Sequence, residues 1–274
     1  MINADFHMHS CYSGDSKAPT EDMIKESVNR GLKRICFTEH NDPDYVYVKP
    51  EETGMFDLNT EEYYKDILNL QNKYQNQIDI GFGVELGIQP GIYDKLSEYA
   101  LSFPFDFIIA SSHVCKKKDP YYPSYYDGIS IKEGIRDYFE EILENVTHFN
   151  EYDIYGHLDY IVRYLPSDRK SEYSYNYRDF EDVIEAFLKI IIQNEKGIEL
   201  NTSGYSKSIC NSNPCPEIIR LYHELGGEII TIGADAHSPD KIAYCFDKAE
   251  ETLIRSGFDY YCTFEGRKPV FHKL

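Results

Sequence analysis

The sequence contains no tryptophan, and its seven cysteines, Cys11, Cys36, Cys115, Cys210, Cys215, Cys245 and Cys262, are odd in number and form no C-x-x-C pair. This excludes a disulfide framework and a cysteine-rich structural metal site, and the cysteines read as reduced thiols. No run approaches the roughly 18 apolar residues of a membrane helix. The opening MINADFHMHS lacks the basic stretch and apolar core of a secretion signal, so a cytoplasmic protein without a membrane partner is expected. Positive charge is scarce: 28 Lys and Arg stand against 47 Asp and Glu, a formal net charge of −19. Such a surface repels polyanions and disfavours nucleic acid, while a small phosphate ester can still bind where the site carries its own cations. Linkers rich in Pro, Gly or Ser and solenoid-length repeats are missing too, so residues 1–274 read as a single domain. Without a G-x-S-x-G elbow, a Walker A loop or a G-x-G-x-x-G fingerprint, serine-hydrolase, P-loop and dinucleotide readings have no support.

What is present is a repeated unit, a short apolar run ending in polar residues and followed by a segment of helical spacing. Strands are expected at Ala4–His9, Arg34–Thr38, Ile78–Glu85, Phe105–Ser112, Asp153–Gly156, Gly197–Asn201 and Glu228–Gly233. In the first helix Thr20 is the expected N-cap, Glu21 and Asp22 suit the positive end of the dipole, and Gly31 supplies the stop. Further helices are expected to begin near Thr60, Gly91, Ser130, Asp179, Pro216 and Pro239. The alternation defines an α/β protein, either a closed barrel or an open doubly wound sheet, and in both the function lies at the carboxyl ends of the strands.

Six of the nine histidines, His7, His9, His40, His113, His157 and His237, fall at those ends, together with Asp15, Glu39, Glu85, Asp159 and Asp235. His7 and His9 are two apart, and because strand side chains alternate they share one face and can hold one metal. A histidine pair may equally line a sheet face, so this signal alone is weak. Glu85 ends the run IDIGFGVEL, where its carboxylate would be costly to bury without a cation. It is the candidate bridge between two metals, against the plainer reading of a surface acid at the strand mouth. His113 and His157 can join it at a second metal, and Asp235 and His237 repeat the two-apart spacing at the last strand. With His40 and Asp15 the set is too large for one ion and can serve three if Glu85 bridges. Imidazoles and carboxylates without thiolates suit Zn, Mn or Fe. Arg163 is a candidate bidentate clamp for phosphate or else a surface ion pair. Lys116–Lys118 reads as a solvated basic loop, and Cys11 and Cys115 have no ligand spacing.

These motifs, H-x-H at His7, Asp15, TEH at His40, GVEL at Glu85, SSH at His113, GHLD at His157, NTSG at Asn201 and GADAH at Asp235, resemble the PHP (polymerase and histidinol phosphatase) family. The GHLDYIVR and ELNTSG stretches look most like its histidinol-phosphatase branch. The resemblance implies a distorted, TIM-like (β/α)7 barrel with a trinuclear site at the C-terminal ends of the strands. One metal would take His7, His9, Glu85 and Asp235, a second Glu85, His113 and His157, and a third Asp15, His40 and His237. In several relatives a histidine stands where this chain has Asp15. By the same resemblance Arg163 would hold the substrate phosphate. After NTSG, Ser206 stands where an arginine is often found, and Lys207 is the candidate replacement.

The expected reaction is hydrolysis of L-histidinol phosphate, a small-molecule phosphate ester, to L-histidinol and inorganic phosphate in histidine biosynthesis. A hydroxide bridging two metals would attack. The third metal and Arg163 would neutralise the phosphoryl oxygens, and Asp235 or His237 would protonate the leaving alkoxide, with Glu85 completing the catalytic set. Competing readings are a phosphoesterase of the same family acting on phosphotyrosyl protein or a nucleotide, and a non-catalytic metal-binding module.

Overall fold

The computed structural model of the protein describes residues 2–169, 171–207 and 209–274. Seven parallel strands run in chain order: β1 (Ala4–Met8), β2 (Arg34–Asn41), β3 (Asp79–Gly87), β4 (Phe107–Ser111), β5 (Ile154–Tyr155), β6 (Gly197–Asn201) and β7 (Ile230–Gly233). Each pairs only with its sequence neighbours in the sheet, and Met8 bridges Ala236 just beyond β7, bringing the sheet round into a nearly closed barrel. The expected barrel is therefore the one found. Its strands are nearly continuous apolar runs, such as FIIAS in β4, because parallel strands in a barrel are buried on both faces.

Where β1 meets β7 the backbone ladder is thin, carried by His9 N to Ala236 O at 2.9 Å and Asp235 N to His7 O at 2.8 Å. The buried Asp5 carboxylate reinforces the seam, accepting from the Ala234 amide at 3.0 Å and the Ala243 amide at 2.9 Å. Gly233 is required here, because a Cβ at that position would stand 2.2 Å from the His7 Cβ.

Helices α1 (Thr20–Asn29), α2 (Thr60–Tyr74), α3 (Tyr93–Ser102), α4 (Ile131–His148), α5 (Glu181–Gln193), α6 (Pro216–Glu224) and α7 (Phe246–Arg255) fill the connections. The caps explain several starts: Asn59 accepts from the Glu62 amide, Ser130 and Glu133 form a reciprocal capping box, and Pro216 occupies the first turn of α6. Gly31, with φ +81°, follows α1 as expected.

The structure corrects two expectations. Thr20 is not an N-cap: Pro19 holds that position, and the buried Thr20 hydroxyl donates to Ser10 Oγ at 3.1 Å. The segment at Pro239 makes only a three-residue 3-10 turn, Pro239–Lys241, and the helix starts at Phe246. An antiparallel hairpin, β8 (Tyr260–Glu265) and β9 (Lys268–Lys273), caps the N-terminal end of the barrel. Arg267 Nε reaches Asp153 Oδ2 at 2.5 Å, Arg34 Nη1 reaches Glu265 Oε1 at 2.5 Å, and Phe264 packs on Phe107. The bottom is thus sealed, and the C-terminal mouth stays free for chemistry.

Candidate metal centre

All nine candidate ligands converge at that mouth. Glu85, fully buried on β3, is the hub. Its Oε2 lies 3.2 Å from His7 Nε2, 3.4 Å from His9 Nε2 and 3.1 Å from His40 Nδ1. Its Oε1 lies 3.2 Å from His113 Nε2 and 3.0 Å from His157 Nε2, and accepts from Ser111 Oγ at 2.7 Å. One carboxylate oxygen thus faces the imidazoles of β1 and β2, and the other those following β4 and β5. Asp15, in the loop after β1, sits 3.1 Å from His237 Nε2 and 3.7 Å from His40 Nε2. Asp235 Oδ1 is 3.6 Å from both His9 Nε2 and His237 Nδ1.

Several of these groups have no hydrogen bond to one another. His7 Nε2, His9 Nε2, His40 Nδ1 and Glu85 Oε2 are buried polar atoms without a hydrogen-bond partner among the described residues, an arrangement costing about 1–3 kcal/mol per group unless something else satisfies it. Ligand atoms of His7, His9 and Glu85, of Glu85, His113 and His157, and of His9, His40 and His237 lie within 4.8 Å of one another in each set. Nitrogen and carboxylate donors so disposed, with no thiolate among them, fit divalent metal ions. The cysteines stay apart: Cys115 is buried against Tyr125, and Cys11 is exposed. The basic turn Lys116–Lys118 faces solvent, as expected of a solvated loop, with Lys118 Nζ on the Ser124 carbonyl.

A surrounding shell fixes the rings. Glu199 Oε1 on β6 lies 2.6 Å from His7 Nδ1, and Asp42 Oδ2 lies 2.6 Å from His113 Nδ1. Ser13 Oγ donates to Glu39 Oε2 at 2.6 Å, so it accepts from His9 Nδ1 at 3.0 Å. Each contact holds the proton on Nδ1 and turns the Nε2 lone pair inward. Reading by residue type missed Glu199 and Asp42, and it noted Glu39 without a role. The signal for Glu199 was available: an acid inside the apolar run GIELN is the same anomaly that marked Glu85. Asp159, also noted as a strand-end acid, is turned away to Asn213 and the Cys215 amide.

Arg163 lies on the 3-10 turn Tyr160–Tyr164 after β5, where its guanidinium is almost wholly enclosed. Nε donates to Asn213 Oδ1 at 2.6 Å, Nη2 to Asn201 Oδ1 at 2.8 Å and Nη1 to Asp235 Oδ2 at 3.1 Å. It is no surface ion pair. Lys207 is exposed, its ammonium 6.0 Å from the Tyr164 ring centre, and Ser206 Oγ donates to the Ser203 carbonyl at 2.7 Å. Arg163, Lys207, Ser206, Asp235 and His237 all line one cavity of about 500 Å³, within the usual range for a small-molecule site.

Without bound cations the charges set one another. Burial favours the neutral Glu85 carboxyl, yet the His7, His113 and His40 imidazoles outweigh it and hold the group well below the usual carboxylate range. Burial opposes charge on His7 and His113, but Glu199 and Glu85 raise the first and Asp42 and Glu85 raise the second well above the usual histidine value. His237 is pushed up to about 9, chiefly by Asp15 acting against burial. Burial and the neighbouring His237 and His40 drive His9 down, and burial lowers His157. A metal must displace protons from the raised imidazoles of His7, His113 and His237, so affinity should climb as pH rises through the neutral range. Zinc titration calorimetry at pH 6.5 and 8, in buffers of different ionisation enthalpy, should show more protons released and about tenfold weaker binding per released proton per pH unit at the lower pH. Equal affinity at both values would mean the imidazoles are already free.

A TIM-like barrel with this cluster at its C-terminal mouth defines a metal-dependent hydrolase. A family profile for the PHP domain matches residues 5–203. A histidinol-phosphatase of Lactococcus lactis subsp. lactis is 32% identical over 270 residues, 98% of this chain and 96% of its own. A Thermotoga maritima relative is 30% identical across 98% of this chain and 99% of its own length. The crystal structure of the Lactococcus lactis histidinol phosphate phosphatase complexed with zinc, L-histidinol and phosphate gives a TM-score of 0.88 at 30% identity, covering 98% of both chains. This chain belongs to the PHP family and is a metal-dependent phosphatase.

Proposed function

We propose that the protein, acting as one domain, hydrolyses L-histidinol phosphate to L-histidinol and inorganic phosphate, a step of histidine biosynthesis. The observation that carries this reading is the Glu85 carboxylate with five imidazoles around it, in a cavity that also holds the Arg163 guanidinium. The full-length likeness to relatives named for this reaction supports the choice of substrate.

Three metal ions would be held by His7, His9, Glu85 and Asp235, by Glu85, His113 and His157, and by Asp15, His40 and His237. Bound there, such ions supply concentrated positive charge and water acidic enough to attack phosphorus near neutral pH. The chain's own residues do the rest. Arg163 keeps donors free beyond its three internal bonds and sets them toward the phosphoryl oxygens, and Lys207 adds a mobile charge at the rim in place of the arginine missing at Ser206. Asp235 and His237 are the two candidate acids for the leaving alkoxide, side by side on the cavity wall. Both ring nitrogens of His237 are engaged, Nε2 at Asp15 and Nδ1 on the Asp235 carbonyl at 3.0 Å, while Asp235 spans the cluster and Arg163. A cavity of this size favours a small ester over a phosphorylated protein surface.

The test is phosphate release by zinc- or manganese-loaded protein from L-histidinol phosphate, a phosphotyrosyl peptide and a nucleoside monophosphate. A preference of about two orders of magnitude in kcat/KM for the first, or about 2.7 kcal/mol, is expected. Comparable slow rates on all three would end the biosynthetic assignment.

A further inference from the structure

Five acids line the cavity: Asp15, Asp42, Glu52, Asp119 and Asp235. Four are compensated. Asp15 and Asp235 face the histidine cluster, Asp42 holds His113, and Glu52 pairs with Lys49 at 2.7 Å. Asp119 differs. It is 6% exposed, and among the described residues no lysine, arginine or histidine comes within ion-pair distance of it. Its donors are neutral: the Tyr45 hydroxyl on Oδ2, and the Tyr121 amide on Oδ1 at 2.7 Å. A carboxylate has about four acceptor positions, so both oxygens keep capacity for further donors. Burial accordingly raises its pKa. A buried acid that a cation would stabilise, and that the chain leaves without one, is a site for a cation brought by the ligand.

Its placement fits the opposite end of a zwitterionic ester. Asp119 and Tyr45 come from the loops after β4 and β2, whereas Arg163 and Lys207 come from the segments after β5 and β6, and all line one cavity. We infer that Asp119 binds the ammonium group of the substrate, selecting phosphate esters of amino alcohols over esters that carry no amine. This rests on the functional reading above and adds to it the group that chooses among esters. The ammonium suits Asp119 better than the imidazole does. It is fully charged at neutral pH, compact, and brings three donors that must be satisfied when it leaves water. The aromatic ring, mostly neutral at pH 7, instead suits the tyrosine wall, where the Tyr164 ring lies about 5 Å from those of Tyr121 and Tyr160.

The test compares metal-loaded protein on L-histidinol phosphate and on 3-(imidazol-4-yl)propyl phosphate, which differs only by the missing amine. Wild type should prefer the aminated ester by roughly 10- to 100-fold in kcat/KM, the range of a charge-assisted hydrogen bond. In Asp119→Asn that preference should collapse to about threefold or less, with the change carried by KM. If Asp119→Asn folds poorly, seen as loss of turnover on both esters, Asp119→Ser gives the same comparison with a smaller side chain. Wild-type preference retained in a folded variant overturns the inference while leaving the functional reading standing. A wild type that hydrolyses neither ester overturns both.

Discussion

Replacing Glu85 by alanine is expected to lower kcat by at least about 10⁴-fold and to reduce the metal bound per chain, with the barrel intact. The reason lies in the two-sided geometry of the carboxylate. Oε2 faces His7, His9 and His40 and Oε1 faces His113 and His157, so no neighbouring side chain can stand in for it. The remaining imidazoles would keep their outer partners, Glu199, Ser13 and Asp42, and hence their orientation. Glu85→Gln separates charge from shape. It preserves the volume and can keep the contact with Ser111, so a loss as deep as that of the alanine variant would assign the effect to negative charge. Elemental analysis of the purified variants together with phosphate release is the measurement. Wild-type turnover in Glu85→Ala would remove the carboxylate from the reaction altogether.

Arg163→Ala should raise KM by about 100-fold and lower kcat as well, which is more than a simple phosphate clamp would predict. Three donors of Arg163 are already spent on Asn213, Asn201 and Asp235. The variant therefore removes a phosphate contact and also takes the charged donor from Asp235 Oδ2, leaving it the Ser203 hydroxyl at 3.1 Å and the Asn201 amide at 3.4 Å, and so disturbs one of the two candidate acids. In protein stripped of metal the loss of this enclosed pair should cost about 3 kcal/mol, the lower end of the range for breaking a buried ion pair. That corresponds to a melting temperature lower by roughly 6 °C or more for a chain of this size. Arg163→Lys should recover little, since an ammonium cannot reproduce three directional bonds made by a planar fork. An unchanged kcat with a raised KM would confine Arg163 to binding, and an unchanged KM would reject the clamp.

Much of this site is legible in the chain because strand geometry is local. The alternation that puts His7 and His9 on one face, and the strand-end positions of His113, His157 and Asp235, depend only on period-two side-chain direction and on where an apolar run stops. The same logic reached the seven barrel strands. It failed where the decisive contact was not periodic: Thr20, which has the residue type of a cap, is spent on Ser10 instead, and the hairpin β8–β9 carries no turn motif of the Asn-Gly kind to announce it.

By itself, then, the sequence determined where the strands fall along the chain, the kinds of ligand at each strand end and the chemistry they permit, since each follows from neighbours a few positions away. Only the tertiary structure decided which atoms meet. His7 meets Glu199 across 192 residues, His113 meets Asp42 across 71, and Arg163 meets Asn201, Asn213 and Asp235. It likewise left Asp119 in the cavity with no cationic side chain beside it among the described residues. Those pairings exist because β1 comes round to β7 and brings the loops of every strand over one mouth, a closure that no local pattern encodes.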